Sequence, residues 1–214
     1  MSLGLSILLL ASGLQNPPAR TDSLTGRIEV QEVPSQVLGK ARTVRVWLPP
    51  GYEENPRRRY PVLFMGDGQN CFSGLTSYIP NEEWRADEAA QSLIEAGLVE
   101  PLIIAAVDNG GADRGNEYLP IEISMRAGEK FGGRAPVFAR FLAEEVRPWL
   151  AKTYRVDLKP ERTGFAGSSF GGVFALHLAQ SRRDVWRRFG VFSPSLWVGN
   201  GEMIRRTKTA DLSG

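Results

Sequence analysis

One cysteine and one histidine are all that this chain of 214 residues carries of either kind. The single Cys71 excludes an intrachain disulfide framework and a multi-cysteine zinc site. No other metal-ligand spacing is visible, so neither a metal nor another cofactor is expected. An excess of one charge is missing as well. The 26 basic and 24 acidic residues leave a formal +2, and the basic ones are scattered rather than banked on one face, so nucleic acid is not an expected partner. The short run Arg57-Arg58-Arg59 falls between strand patterns and reads as a solvated loop. Long apolar runs are lacking too. The N-terminal stretch MSLGLSILLLASGLQNPPAR has an apolar run from Leu3 to Leu10 before its Pro-Pro break, too short to span a bilayer as a helix. Residues 1–25 form a possible signal or unstructured leader, its apolar core ending near Ala11-Ser12-Gly13, yet no Lys or Arg precedes it. Export and a packed N-terminal segment both stay open. At 42% hydrophobic, residues 26–214 suffice for one well-buried core and are short for two.

Strand and helix patterns alternate along that core. RIEVQEV after Gly26 and RTVRVWL after Ala41 alternate apolar and polar, and two antiparallel strands are expected there. YPVLFMG and LIIAAVD are continuous apolar runs, as in strands buried on both faces of a parallel sheet. Between them NEEWRADEAAQSLIEAGLV reads as a helix with Trp84, Ala89, Leu93 and Ile94 on one face and Gly97 at its end. PVFARFLAEEVRPWLAKTY reads as a helix that Pro148 bends or interrupts, its aromatic residues packing on a sheet and Glu144-Glu145 on a solvated face. RTGFAGSS, FGGVFALHLAQSRR and RRFGVFSPSLW follow as strand, helix and strand, and a helix pattern starts again at Gly201. The predicted class is α/β around a mostly parallel sheet.

The chemistry concentrates in GFAGSSFGG. Gly167-Ser168-Ser169-Phe170-Gly171 satisfies G-x-S-x-G between a predicted strand and a predicted helix, the context in which that pattern presents a nucleophilic serine. Gly167 and Gly171 make room for a sharp turn while Ser169 projects its hydroxyl; Ser168 breaks the glycine spacing. Such a serine needs a base and donors for the oxyanion. The N–H of Phe170 is one candidate donor, and the loop MGDGQN supplies the other at Gln69 or Gly68.

These residues resemble a family of the α/β-hydrolase superfamily, the esterases that include enterochelin (ferric siderophore) esterases, feruloyl esterases, esterase D-type enzymes and mycolyltransferases. The segments that carry the likeness are VWLPPGY, YPVLFMGDGQNCF, DEAAQSLIEAGLVEPLIIAAVDN, RGNEYLP, FLAEEVRPWLAKTYRV, GFAGSSFGG and FGVFSPSLW, from about Arg42 to Trp197. The resemblance implies a three-layer α/β-hydrolase sandwich, serine-ester chemistry on a small-molecule ester, and a Ser, acid, His triad. Its acid would follow the seventh strand and its histidine the eighth. Strands one to six are expected at 26–33, 41–48, 60–66, 102–108, 163–167 and 189–193, and no segment remains for strands seven and eight. His177 lies in the helix that starts at the nucleophile, eight residues on, so it is displaced about 12 Å along the axis and reads as a packed helix residue rather than a base.

Other residues near the implied site have two readings. Asp108, at the end of strand four, is a substrate-side or loop-shaping residue. Arg114, Glu117 and Tyr118 resemble a segment at the site mouth, where an Arg–Glu structural pair competes with substrate contact; Trp197 has the same status. Cys71 is a reactive thiol or, lacking a basic partner, a buried small hydrophobe. The expected function is a serine carboxylic-ester hydrolase present without its acid and histidine, hence C-terminally incomplete and nearly inactive, with strand six an exposed edge. The alternative is a non-catalytic relative that binds a siderophore, sugar or acyl ester.

Overall fold

The computed structural model describes residues 22–124, 128 and 130–210. The predicted leader segment up to residue 21 and the last four residues lie outside them. Along the chain the elements are β1 (Arg27–Val33), β2 (Arg42–Leu48), β3 (Val62–Met65), α1 (Ala86–Glu95), β4 (Ile103–Val107), α2 (Arg114–Tyr118), β5 (Glu122–Ser124), β6 (Lys130–Gly132), α3 (Ala135–Phe141), α4 (Arg147–Thr153), β7 (Thr163–Ser168), α5 (Phe170–Ser181), β8 (Arg188–Phe192) and α6 (Glu202–Thr209). The central sheet has six strands in the order β1-β2-β4-β3-β7-β8. β1 and β2 are antiparallel, β2 runs antiparallel to β4, and β4, β3, β7 and β8 are parallel to one another.

Strand side chains alternate between the two faces of this sheet, and the sequence fills both. Val46, Phe64, Ala105 and Phe165 enter one cluster with Phe138, Phe141, Leu150, Phe174 and Trp186 from the helical layer of α3, α4 and α5 and the turn after it. Their neighbours Trp47, Met65, Ile104 and Ala166 enter a second cluster, against Phe72, Trp84, Ala90 and Ile94. Burial on both faces explains why β3, β4 and β7 lack the polar alternation of β1. Fully burying such a side chain contributes about 1.5–3 kcal/mol. The result is the three-layer α/β-hydrolase sandwich, with the parallel strands ending at one rim.

Several local expectations need correction. α1 starts at Ala86 rather than Asn81, because Asn81 and Arg85 have φ of 64° and 54°, outside the helical region. Its sheet-facing residues are Ala86, Ala90 and Ile94, whereas Ala89 and Leu93 are exposed. Glu145 is not simply solvated: it accepts hydrogen bonds from the N–H groups of Gln36 and Val37 and from the Ser35 hydroxyl, anchoring the β1–β2 connection. The interruption near Pro148 is a π-helical turn over Leu142–Val146, a local widening that precedes the proline in the first turn of α4. The β5–β6 hairpin was not foreseen. The arginine run is exposed, with Arg58 over the Tyr60 ring at 5.1 Å. At the sheet edge, β8 leaves Val191 and Phe192 36% and 58% exposed.

Candidate active site

The sharp turn between β7 and α5 is built from conflicting steric demands. Ser169 has φ 58° and ψ −117°, a region that costs a non-glycine residue roughly 1–3 kcal/mol. A Cβ on Gly167 would stand 2.5 Å from the Gly171 carbonyl oxygen, and one on Gly172 would stand 2.7 Å from that of Phe192. The glycines therefore let strand, helix and the segment after β8 meet at one point. The bonds that offset the strain come from the end of β8 and the segment after it: Ser169 N–H donates to the Phe192 carbonyl at 3.1 Å, and Ser195 N–H donates to the Ser169 carbonyl at 3.2 Å.

The candidate oxyanion loop sits one strand away. β3 and β7 are in parallel register with Met65 opposite Ala166, and Gly66 N–H continues the ladder to the Ala166 carbonyl at 3.0 Å. The loop then turns through Asp67, at φ 54°, into a 3-10 turn over Gly68–Asn70. A Cβ on Gly68 would lie 2.7 Å from the Ala106 carbonyl group, so the loop can rest on the end of β4 only with glycine there. Gln69 is held by its side chain, which accepts the Asn109 N–H at 3.2 Å, and by its carbonyl, which accepts the Thr76 hydroxyl at 2.8 Å. Phe170 opens α5 and Gly68 opens the 3-10 turn, and the first N–H groups of a helix have no acceptor within it.

Ser168 and Ser169 line a cleft of about 510 Å³ together with Asp67, Gln69, Asn70, Asn109, Gly111 and Arg114, and with an apolar wall of Tyr78, Ile79 and Trp84. Of the predicted site residues, Ser169, Gln69 and Arg114 share this cleft. Asp108 does not line it; its carboxylate is bound by Arg45 through Nε at 2.8 Å and Nη2 at 2.9 Å. Tyr118 is fully buried and its hydroxyl accepts the Asp67 N–H at 2.7 Å, so it supports the loop from beneath rather than facing a substrate. Trp197 is 71% exposed and opens onto a separate cavity beside β5 and α6. The Arg114–Glu117 pair is not formed: Arg114 binds Asp67, and Glu117 binds the buried Arg42.

The remaining reactive groups are withdrawn from this cleft. His177 packs beside Phe174 on α5, and burial, helped by the nearby Arg206 charge, lowers its pKa to about 4. Cys71 is buried, and burial followed by the negative charges of Asp67 and Asp108 pushes its thiol well up, the opposite of a reactive thiolate. Among the described residues no group of three or more His, Cys, Asp or Glu is placed to hold a metal ion, and no helix is long and apolar enough to cross a membrane.

Three residues of the site escaped the sequence reading. Asp67 is 1% exposed and collects Arg114 and the Asn109 amide. Asn109 thereby ties the end of β4 to the candidate oxyanion loop. Ser195 places its Oγ 3.1 Å from Ser169 Oγ. All three stand in the segments MGDGQN, AAVDN and FSPSLW, where nothing in their spacing distinguishes them from loop-forming polar residues.

Comparison with known proteins agrees with this fold. Ferri-bacillibactin esterase BesA of Bacillus subtilis (strain 168) is 24% identical over 173 residues, 78% of this chain and 58% of that protein. A siderophore enterobactin esterase of Emericella nidulans is 32% identical over 76 residues, 36% of this chain and 25% of that protein. The chain thus spans less than two thirds of the length of these curated relatives. Among solved structures, an IroE-like serine hydrolase from Shewanella oneidensis superposes with TM-score 0.70 at 21% identity, covering 85% of this chain and 55% of that one. The enterobactin esterase FES from Shigella flexneri gives 0.69 at 15% identity, with 90% and 45% coverage. The family described as Putative esterase matches residues 35–210, most of the described structure, and the chain belongs to that family.

Proposed function

We propose that residues 26–214 form one hydrolase domain carrying the nucleophile and oxyanion part of a serine carboxylic-ester hydrolase. Ser169 Oγ attacks the ester carbonyl carbon, and the N–H groups of Phe170 and of Gln69 or Gly68 receive the carbonyl oxygen as it becomes negative. The observation that carries this reading is the strained Ser169 at the head of α5, one strand from the Gly68–Gln69 turn and opening into the same cleft. The described residues that line the cleft supply no base, since His177 is half-buried on α5 and outside it; completing turnover requires a base that these residues do not provide. Arg114 and the Tyr78, Ile79 and Trp84 wall face the substrate. Siderophore esters, after the names of BesA and the Emericella enzyme, are the first substrates to try.

The test is acylation of the intact 214-residue protein by an activated aryl ester, read by peptide mass spectrometry. A single acyl adduct on Ser169, absent from Ser169→Ala, is the expected result. Modification elsewhere, or an equal signal in the alanine variant, would reject the assignment. A second reading, a protein that binds an ester without cleaving it, is favoured by one observation, the absence of a histidine from the described cleft. Saturable binding of enterobactin by a protein that never acylates would select it.

A further inference from the structure

The backbone of Ser169 is gripped from one side. Phe192 accepts its N–H and Ser195 donates to its carbonyl, so the end of β8 and the segment after it bond the peptide groups on both sides of the residue. That segment reverses sharply, with Ser193 at φ 39°, and it lies against the first turn of α5, where Gly172 allows its approach. The reversal delivers the Ser195 side chain, only 9% exposed, to a point where its Oγ is 3.1 Å from Ser169 Oγ. A buried hydroxyl is normally satisfied by a partner. For Ser195 that partner is the candidate nucleophile.

We propose that Ser195 is a positioning residue for Ser169, its hydroxyl selecting the rotamer in which the nucleophile faces the cleft beside the Phe170 N–H. This rests on the reading of Ser169 as the nucleophile. A serine side chain has three staggered wells of similar energy, and a single fixed neighbour within hydrogen-bond distance suffices to prefer one. The effect falls on the attacking step. As Ser169 Oγ loses its proton it becomes a stronger acceptor, and donation from Ser195 strengthens. Once the oxygen is part of an ester it is a weaker acceptor, and Ser195 is released. Substrate binding, which uses the Arg114 side of the cleft, is left unaffected.

Two measurements on the 214-residue protein test this, using Ser195→Ala and Ser195→Thr. Alanine removes the hydroxyl and keeps the backbone N–H, so the grip on the Ser169 peptide groups remains. In crystal structures, Ser169 Oγ is expected in one rotamer in the parent and in S195T, and spread over more than one in S195A. An unchanged single rotamer in S195A would overturn the proposal. The second readout is the rate of labelling by a fluorophosphonate, in which a P–O bond forms at Ser169 Oγ, the P–F bond breaks, fluoride leaves and the hydroxyl proton passes to buffer. S195A should react roughly tenfold more slowly than the parent at equal thermal midpoint, with S195T recovering most of the loss. Equal rates for S195A and parent would refute the proposed role. A parent that is not labelled at all would sink the nucleophile reading instead, and the rotamer comparison would still decide what Ser195 does.

Discussion

Arg114 grips Asp67 through two hydrogen bonds, Nε to Oδ1 at 2.7 Å and Nη2 to Oδ2 at 2.8 Å, and its guanidinium lies over the rings of Tyr118 and Phe170 at 5.3 and 5.4 Å. One side chain thus couples the loop after β3 to the first residue of α5. Arg114→Ala is expected to destabilise the fold by about 2–4 kcal/mol, because it strands a carboxylate in the interior. The lower part of that range applies because the Asn109 amide still donates to Asp67. Arg114→Lys should recover only part, having the charge without the planar fork. Urea unfolding of the three proteins measures this; equal midpoints would mean the pair holds nothing in place.

Gly167 and Gly39 make a controlled contrast. Gly39 has φ +70° with open space around it, so Gly39→Ala should cost about 1–2 kcal/mol from backbone conformation alone. Gly167→Ala places a methyl group 2.5 Å from a backbone carbonyl that no rotamer change can move, and its cost should exceed that of Gly39→Ala by more than about 2 kcal/mol. Chemical denaturation ranks the two. A Gly167→Ala protein as stable as Gly39→Ala would show that the turn is not held against α5.

His177 sets an acid limit on stability. Its folded pKa of about 4, lowered first by burial, lies below the ordinary value of 6.5, so the folded state binds its proton less readily than the unfolded chain. The associated stability is fully present above pH 6.5 and is lost as pH falls from there toward 4, by at most about 3 kcal/mol. His177→Gln should flatten that part of the pH profile of the unfolding midpoint and leave the labelling rate of Ser169 unchanged. A tenfold fall in labelling would instead make His177 the base.

Asp87 acts in the opposite direction. Burial raises its carboxyl to about 6 although the Thr25 N–H donates to it at 2.7 Å, and its neighbour Glu88 shares the site. A carboxyl raised in the fold holds its proton more tightly there than in the unfolded chain, so stability declines as pH rises from about 4 to 6. Asp87→Asn, which still offers an acceptor to Thr25, should therefore gain on the order of 1 kcal/mol at pH 8 and nothing at pH 4. Thermal midpoints at the two pH values check the sign. A loss at pH 8 would mean the charge itself holds the segment around Thr25.

What was legible in the sequence divides along physical lines. Strands β3, β4 and β7 announced themselves because burial on two faces demands uninterrupted apolar runs, and the turn at Ser169 because only glycines tolerate its contacts. The start of α1 was misplaced because left-handed conformations at Asn81 and Arg85 leave no mark in an amphipathic pattern. Asp108 could be read only as a substrate-side or loop-shaping residue because its position at a strand end is visible, whereas its partner Arg45 lies on a strand far away in sequence. Ser195 stayed hidden for the same reason: its importance is a distance to Ser169, and distances between distant segments are written only in the folded chain.

The separation between the adjoining strand ends and the loop that walls the cleft has a consequence for how such a protein can change. Ser169 and the Gly68–Gln69 turn are held in mutual register by backbone bonds between β3 and β7. Tyr78, Ile79 and Trp84 sit on the loop after Phe72, attached through Asn70, whose side chain accepts the Tyr78 N–H and whose carbonyl accepts the Trp84 N–H. Thr76 on that loop also braces the Gln69 carbonyl, so changes beyond Thr76 alter the wall of the cleft while the β3–β7 register and the bond that holds Gln69 are kept. The shape of that wall can therefore vary while the backbone bonds around Ser169 stay as they are.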